Sequence, residues 1–268
     1  MNTMQQTPQY TGEEKNKRIF QLKLAGLFLL AVVIIINVFS LDPIPQDVDY
    51  HSFADQSIRL SIPNFWNVVS NLGFLVAGSW GIYKSINQKP IPILALVLSF
   101  GVTLTFLGSS YYHWHPSHST LLWDRLPMTI IFMSFFVFII SQYISSRYKF
   151  LLLFVFLFIG TSSVYYWEYT ELHGHGDLRP YAIVQFLPMI LIPVILILFK
   201  NKHLPSRNII TIFLWYLLAK GFEHFDEEVF QFDFLSGHSL KHIFASISTY
   251  YMIKWTLTEN QITQHLPA

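Results

Sequence analysis

The chain has 268 residues, of which 52% are hydrophobic, 17% aromatic and only 12% charged. Soluble domains carry about 25% charged residues, so this composition excludes an ordinary soluble protein and indicates a polytopic membrane protein. The formal net charge is +1 and the chain has no large basic patch, which argues against nucleic-acid binding. Because the chain has no cysteine, disulfides, thiolate metal ligands and thiol nucleophiles are excluded.

Eight apolar segments of about 20 residues predict transmembrane helices. They cover 20–40, 66–84, 91–113, 121–142, 149–167, 181–199, 207–224 and 238–257. The predicted fold is an all-α membrane bundle with a seven-helix core at 65–257 and one extra N-terminal helix. A basic stretch precedes the first segment, as in a signal peptide, but no small-residue cleavage site follows it. We therefore expect that helix to remain as an anchor.

The remaining segments are polar. We expect 1–19 to be a disordered cytoplasmic N-terminus, 41–64 an extracytoplasmic loop, and 258–268 a cytoplasmic tail. This orientation follows from the positive-inside rule, because two cytoplasmic termini leave most of the 17 basic residues inside. The residues predicted to lie inside are Lys15, Lys17, Arg18, Lys23, Lys84, Lys89, Arg147, Lys149, Lys200, Lys202, Arg207 and Lys254.

Polar side chains gather at one predicted membrane depth, towards the outer ends of three helices. Ser109 and His113 are four residues apart at the end of the third span, and Asp124 begins the fourth. His238 and His242, also four apart, begin the last span. Side chains with this spacing share one helix face, so we expect the five groups to converge on the extracytoplasmic side.

The chemistry of these residue types suggests a metal site. Three histidines with one His-x-x-x-His pair are typical of catalytic zinc, which keeps a fourth position for water. A carboxylate such as Asp124 can take the proton of water, and a hydroxyl such as Ser109 can donate to an oxyanion. Structural alternatives exist: buried histidines in a polar core, Ser109 as a small packing residue, Asp124 as a helix cap. The coincidence in depth favours metal-assisted hydrolysis of an acyl bond.

Several motifs resemble the alkaline ceramidase family, within the superfamily that also contains adiponectin receptors. They are "GSSYYHWHP", "WDRLPM", "FWNVVSNLGF" and the terminal His-x-x-x-His. The resemblance covers about 65–257 and implies a seven-helix zinc amidase that cleaves ceramide, a membrane lipid, to sphingoid base and fatty acid. It also implies roles for five residues: zinc ligands His113, His238 and His242, and catalytic partners Ser109 and Asp124.

One segment departs from the family pattern. Eukaryotic alkaline ceramidases carry an acidic calcium loop with a Glu just before "FWN", where this sequence has Asn64. Asp49 and Asp55 remain as carboxylates that could bind a cation, but we do not expect calcium in this loop. The departure leaves another lipid amide or ester open as the substrate.

Two other classes of protein fit part of this pattern. A seven-helix receptor could keep zinc as a structural element, and a transporter could use the polar cluster as an ion path. A transporter is the least favoured of these, because an ion path needs polar residues across the whole membrane, whereas here they gather towards the outer ends of the helices. We expect Lys241 to point to a different helix face from His238 and to anchor a lipid headgroup. Glu223 belongs to an acidic helix end that is either solvated or supports the zinc histidines.

Overall fold

The computed structural model describes residues 11–199, 207–232 and 235–264. Within these ranges the chain is helical apart from its connections and a 3-10 turn at Val48–His51, which confirms the all-α fold. The helices are α1 (Gly12–Phe39), α2 (Phe65–Val69), α3 (Leu72–Ile86), α4 (Ile93–Trp114), α5 (His118–Tyr143), α6 (Lys149–Leu172), α7 (Arg179–Leu198), α8 (Arg207–His224), α9 (Asp226–Phe232) and α10 (Gly237–Gln264).

Helix α1 forms a compact unit of its own that ends at Leu41, and residues from Asp42 onward form a second unit. The helix begins well before the predicted position 20, because Thr11 and Glu14 form a capping box. The Thr11 hydroxyl accepts from the Glu14 amide, and the Glu14 carboxylate accepts from the Thr11 amide. Residues 1–10 and 265–268, parts of the two predicted polar ends, lie outside the described residues.

The chain is a polytopic membrane bundle. In the described part, five helices are long and apolar enough to cross a membrane: α1, α4, α5, α6 and α7. Helices α3, α8 and α10 occupy the other predicted spans but are shorter or less apolar than these five. Helix α3 has only 15 residues, and the ends of α8 carry Arg207, Lys220 and Glu223. Polar groups that serve a bundle interior lower the apolar character of the helix that carries them.

The predicted span 66–84 is interrupted at Ser70 and Asn71, between α2 and α3. The Asn71 side chain donates to the carbonyl of Asn67, at 2.9 Å. Short polar side chains that bond to nearby backbone compete with regular helix, which an apolar pattern alone does not reveal. The break leaves the Ser70 hydroxyl 2.9 Å from Nδ1 of His242 on the last helix.

The helices of the second unit pack around a common interior. Helix α4 packs against α3 and α5, α5 also against α6 and α7, and α10 against α8, α3 and α4. Gly73 on α3 lies so close to Ser246 on α10 that a Cβ there would clash. A residue without a side chain lets two membrane helices approach this closely.

A second close approach joins α4 to α5. Gly108 packs directly against the carbonyl of Trp123. Pro127 lies inside α5 and lacks an N–H, so it cannot donate to this carbonyl four residues earlier. Because Gly108 has no side chain, the two helices meet here, and Ser109 comes next to Asp124.

The segment between α1 and α2 folds over one end of the second unit. Phe53 is buried, and its ring centroid lies 4.6 Å from that of His113 and 4.8 Å from that of His238. Ile44 accepts a backbone hydrogen bond from Leu178 at 2.8 Å. The predicted loop 41–64 is therefore a packed cover.

Candidate metal centre and its cavities

Three histidines converge at the covered end of the bundle. His113 lies in the last turn of α4, and His238 and His242 lie in the first turns of α10. All three are buried, and one ring nitrogen of each lies within 4.8 Å of the other two. The Nε2 atoms of His113 and His238 are 3.3 Å apart. The structure thus brings together the three predicted ligands from two helices.

This arrangement fits a zinc ion. Two nitrogens bound at about 2.0–2.1 Å to one tetrahedral zinc would be roughly 3.4 Å apart, close to the 3.3 Å between His113 and His238. Nδ1 of His113 is buried and finds no hydrogen-bond partner among the described residues. Because the 3.3 Å contact is made by Nε2, that atom rather than Nδ1 is the one placed to bind a metal. Three imidazole nitrogens are a donor set that suits zinc.

Neighbouring side chains orient the histidines. Nδ1 of His242 is 2.9 Å from the Ser70 hydroxyl, and the Asn67 carbonyl also hydrogen-bonds to this ring. Such contacts hold Nδ1 and leave Nε2 for a metal. The backbone amide of His238 donates to one oxygen of Asp226 at 2.7 Å. The other Asp226 oxygen accepts from the Ala54 amide at 3.1 Å, which ties the cover to α10.

Ser109 and Asp124 lie together beside the histidines. The Ser109 hydroxyl donates to the Asp124 carboxylate, and both residues are buried. Asp124 does not cap α5, because Ser117 begins that helix and its hydroxyl accepts from the Thr120 amide. The alternative interpretation of Asp124 as a helix cap is therefore wrong.

Asp124 borders two cavities. The larger, about 260 Å³, lies between α5, α7, α8 and α10 and carries charged side chains, among them Arg125. The smaller, about 70 Å³, is also lined by Ser109 and His242. Its remaining wall is mainly apolar and includes Ile131. The carboxylate therefore lies where a charged space meets an apolar one.

The prediction that Lys241 points away from the histidines is wrong. Its Nζ lies 3.2 Å from Nε2 of His238 and 2.7 Å from Oε1 of Glu223. Residues three apart on a helix are surface neighbours, so the spacing from His238 to Lys241 was the available signal. Glu223 is likewise not solvated, because it also pairs with Lys220 and is largely buried. Both residues belong to the site.

Asp55 and Asp49, the two carboxylates of the cover that could bind a cation, lie in different surroundings. Asp55 is fully buried, and its oxygens accept from the amides of Ser57 and Trp66 at 3.1 and 2.9 Å. Asp49 is exposed on the Val48–His51 turn. Asn64 has a left-handed backbone, with φ of 46°, and its side chain donates to the His113 carbonyl at 2.8 Å. This part of the cover therefore supports α2 and α4.

The sequence matches the Ceramidase family over residues 55–265, which includes all five predicted site residues. The chain belongs to the ceramidase family. Membership makes it a hydrolase that acts on an amide bond, with a lipid substrate. No curated protein matches the chain.

Proposed function

We propose that this ceramidase-family protein is a zinc-dependent amidase that cleaves ceramide-like lipids to sphingoid base and fatty acid. The observation that carries the proposal is the position of Asp124, beside the histidines and between a charged and an apolar cavity. The amide of such a lipid separates a polar headgroup from an acyl chain. A substrate with its head in one cavity and its acyl chain in the other places the amide at Asp124.

The residues have distinct roles in this proposal. His113, His238 and His242 would hold the zinc ion, which when bound would supply Lewis acidity and lower the pKa of a bound water to about 7. Asp124 accepts a proton from the attacking water and delivers it to the departing amine. The single hydroxyl proton of Ser109 is donated to the Asp124 carboxylate before reaction, and it turns to the developing oxyanion once Asp124 has taken the proton of water.

The apolar cavities support a lipid substrate. The 70 Å³ cavity shares Phe132, Tyr216 and Met252 with a further apolar cavity of about 30 Å³. The first lies beside His242 between α3, α4, α5, α8 and α10, and the second lies between α5, α7, α8 and α10. An interior of this kind excludes water from the acyl chain and holds the amide in register with Asp124.

We further propose that both termini are cytoplasmic and that the site faces the extracytoplasmic side. The end of the bundle opposite the histidines carries Lys84, Lys89, Arg147 and Lys149, as the positive-inside rule requires. Because the chain has no cysteine, one can be introduced at His118 and labelled in intact cells. Labelling by an impermeant reagent from the extracytoplasmic side supports this orientation, and labelling only from the cytoplasm overturns it.

Metal analysis and hydrolysis on the same samples test the function. We expect about one zinc per chain and release of fatty acid from ceramides by the purified full-length protein. His242→Ala should lose both, whereas His175→Ala, at an exposed histidine in the α6–α7 connection, should retain both. An active protein without zinc would refute the metal role. A zinc-loaded protein that hydrolyses no lipid amide or ester would favour the receptor.

A further inference from the structure

Arg125 brings an unusual charge to the larger cavity. Its side chain lines the 260 Å³ space, and the residue is only 7% exposed. Nη2 donates to the neutral Gln46 side chain, while Nη1 is buried without a hydrogen-bond partner in the described part of the chain. Within those same residues, no carboxylate lies within 4 Å of the guanidinium. A buried cation without a counter-charge is costly, so an anion bound beside Arg125 would stabilise this site.

Aromatic rings hold the guanidinium in place. Its central carbon lies 4.2 Å from the Trp167 ring centroid and 5.0 Å from that of Tyr181. The ring of Tyr50 lies at 5.8 Å. These contacts attract the cation and restrict its rotation, but rings cannot accept the in-plane hydrogen bonds of Nη1 as an oxygen does. The side chain is therefore a fixed donor rather than a flexible surface arginine.

The other charges around the cavity do not neutralise Arg125. Lys220 and Lys241 both pair with Glu223, which leaves that carboxylate committed to two ammonium groups. Asp124 lies near both Lys241 and Arg125 but, among the described residues, forms no ion pair within 4 Å with either, so its one charge is divided between two cations. Three cations and two carboxylates line the space, so it carries a net positive charge. An anion that enters the cavity gains Coulomb energy in a partly desolvated place.

We propose that this cavity binds a compact oxyanion, a carboxylate, phosphate or sulfonate, on the headgroup of an N-acyl lipid, and that Arg125 determines this specificity. The planar fork of a guanidinium matches two oxygens of such a group. This inference rests on the proposed function, because the amide of the same lipid reaches Asp124. The inference concerns preference among the proposed substrates: a ceramide-like lipid with a neutral diol headgroup still presents its amide to Asp124, but it binds less tightly than one with an anionic headgroup because the charge of Arg125 stays uncompensated.

Short, soluble N-acyl compounds test the inference. The ligands are N-octanoyl taurine, N-octanoyl glycine, the phosphate ester of N-octanoyl ethanolamine, and neutral N-octanoyl ethanolamine itself. Calorimetric titration of the full-length, zinc-loaded protein gives Kd for each, and octanoate release is measured separately. We expect at least one anionic ligand to bind about tenfold or more tightly than the neutral one. The tightest ligand identifies the oxyanion.

Variants assign the selectivity to Arg125. Arg125→Gln should bring the Kd of the anionic ligand close to that of the neutral one, and Arg125→Lys should lie between. Arg59→Gln is the matched control, because Arg59 is exposed on the cover and lies over Trp66, outside the cavity. If Arg125→Gln does not fold, Arg125→Lys and the ligand series on the unaltered protein still decide.

The outcomes separate the two proposals. Selective binding of an anionic ligand that depends on Arg125, without release of octanoate, supports the headgroup site and argues against the proposed amidase activity. Equal Kd values for anionic and neutral ligands overturn the headgroup site, even if all ligands are hydrolysed. Selectivity that survives in both Arg125 variants also overturns it.

Discussion

Nζ of Lys241 lies 2.7 Å from Oε1 of Glu223, and this ion pair joins α10 to α8 at the wall of the larger cavity. The two side chains are 16% and 17% exposed, so loss of one charge leaves the other largely buried. We expect Glu223→Gln to lower the free energy of unfolding by about 3–5 kcal/mol. The double variant Lys241→Met/Glu223→Leu should lose less. Thermal unfolding in detergent measures both, with exposed Glu227→Gln as control; equal midpoints for Glu223→Gln and the control would contradict the prediction.

Asp124 and Ser109 separate an enzyme from a protein that uses zinc only for structure. Neither is a proposed ligand, so Asp124→Asn and Ser109→Ala should retain zinc. We expect Asp124→Asn to lower kcat by roughly 10²–10⁴-fold and Ser109→Ala by roughly 10²–10³-fold. Ser110→Ala, one residue further on and bonded to the Val68 carbonyl, is the matched control. Unchanged kcat in both site variants would refute these roles while leaving hydrolysis in place.

The hydroxyl of Ser70 orients His242 from the break between α2 and α3. We expect Ser70→Ala to weaken zinc binding by about 10–100-fold, as is common when a partner of a metal-binding histidine is lost. Competition with a chelator gives the zinc affinity. Ser119→Ala, at an exposed position, should leave it unchanged. A normal zinc affinity in Ser70→Ala would exclude this orienting role.

We expect substitution of glycine by alanine to have opposite effects at two positions, Gly108 and Gly221. A Cβ at Gly108 would clash with the Trp123 carbonyl, so Gly108→Ala should separate α4 from α5. We expect lower thermal stability and a loss of turnover, because Ser109 moves relative to Asp124. Gly221 has no atoms within 4 Å of an added Cβ and lies inside α8. Gly221→Ala should therefore stabilise the protein by up to about 1 kcal/mol. Destabilisation of the same size in both variants would argue against the close contact.

The cover should loosen in mild acid. His51 lies 2.8 Å from the Tyr112 hydroxyl and 3.0 Å from Nδ1 of His118. Burial, His118 and Arg125 lower the pKa of His51. Because the folded pKa is below the unfolded value of about 6.5, the neutral ring stabilises the fold above that pH. This stability is lost as the pH falls through the folded pKa.

Hydrogen exchange of residues 48–53, corrected for intrinsic rates, measures this loosening. Exchange should be faster at pH 5 than at pH 7.5, and His51→Gln should remove much of the difference. His173→Gln, at an exposed histidine, is the control. A pH response that persists unchanged in His51→Gln would assign it to other groups.

Local spacing made part of the site predictable. The pairs Ser109–His113 and His238–His242 follow from the period of a helix, and their common depth follows from the lengths of the spans. The contact of Ser70 with His242 joins residues 172 positions apart, and that of Arg125 with Gln46 joins residues 79 apart. Such contacts depend on how helices and connections pack, which one sequence does not specify.

The contacts of the cover also determine the smallest fragment that should keep the histidines shielded from water. The family match begins at residue 55. Gln46, before that boundary, bonds both to Arg125 and to the Glu171 carboxylate, and Ile44 bonds to Leu178. A fragment cut at the family boundary would lose these bonds together with Phe53, and water would reach the histidines. Shortened chains and chimeras should therefore start no later than Asp42, where the second compact unit begins.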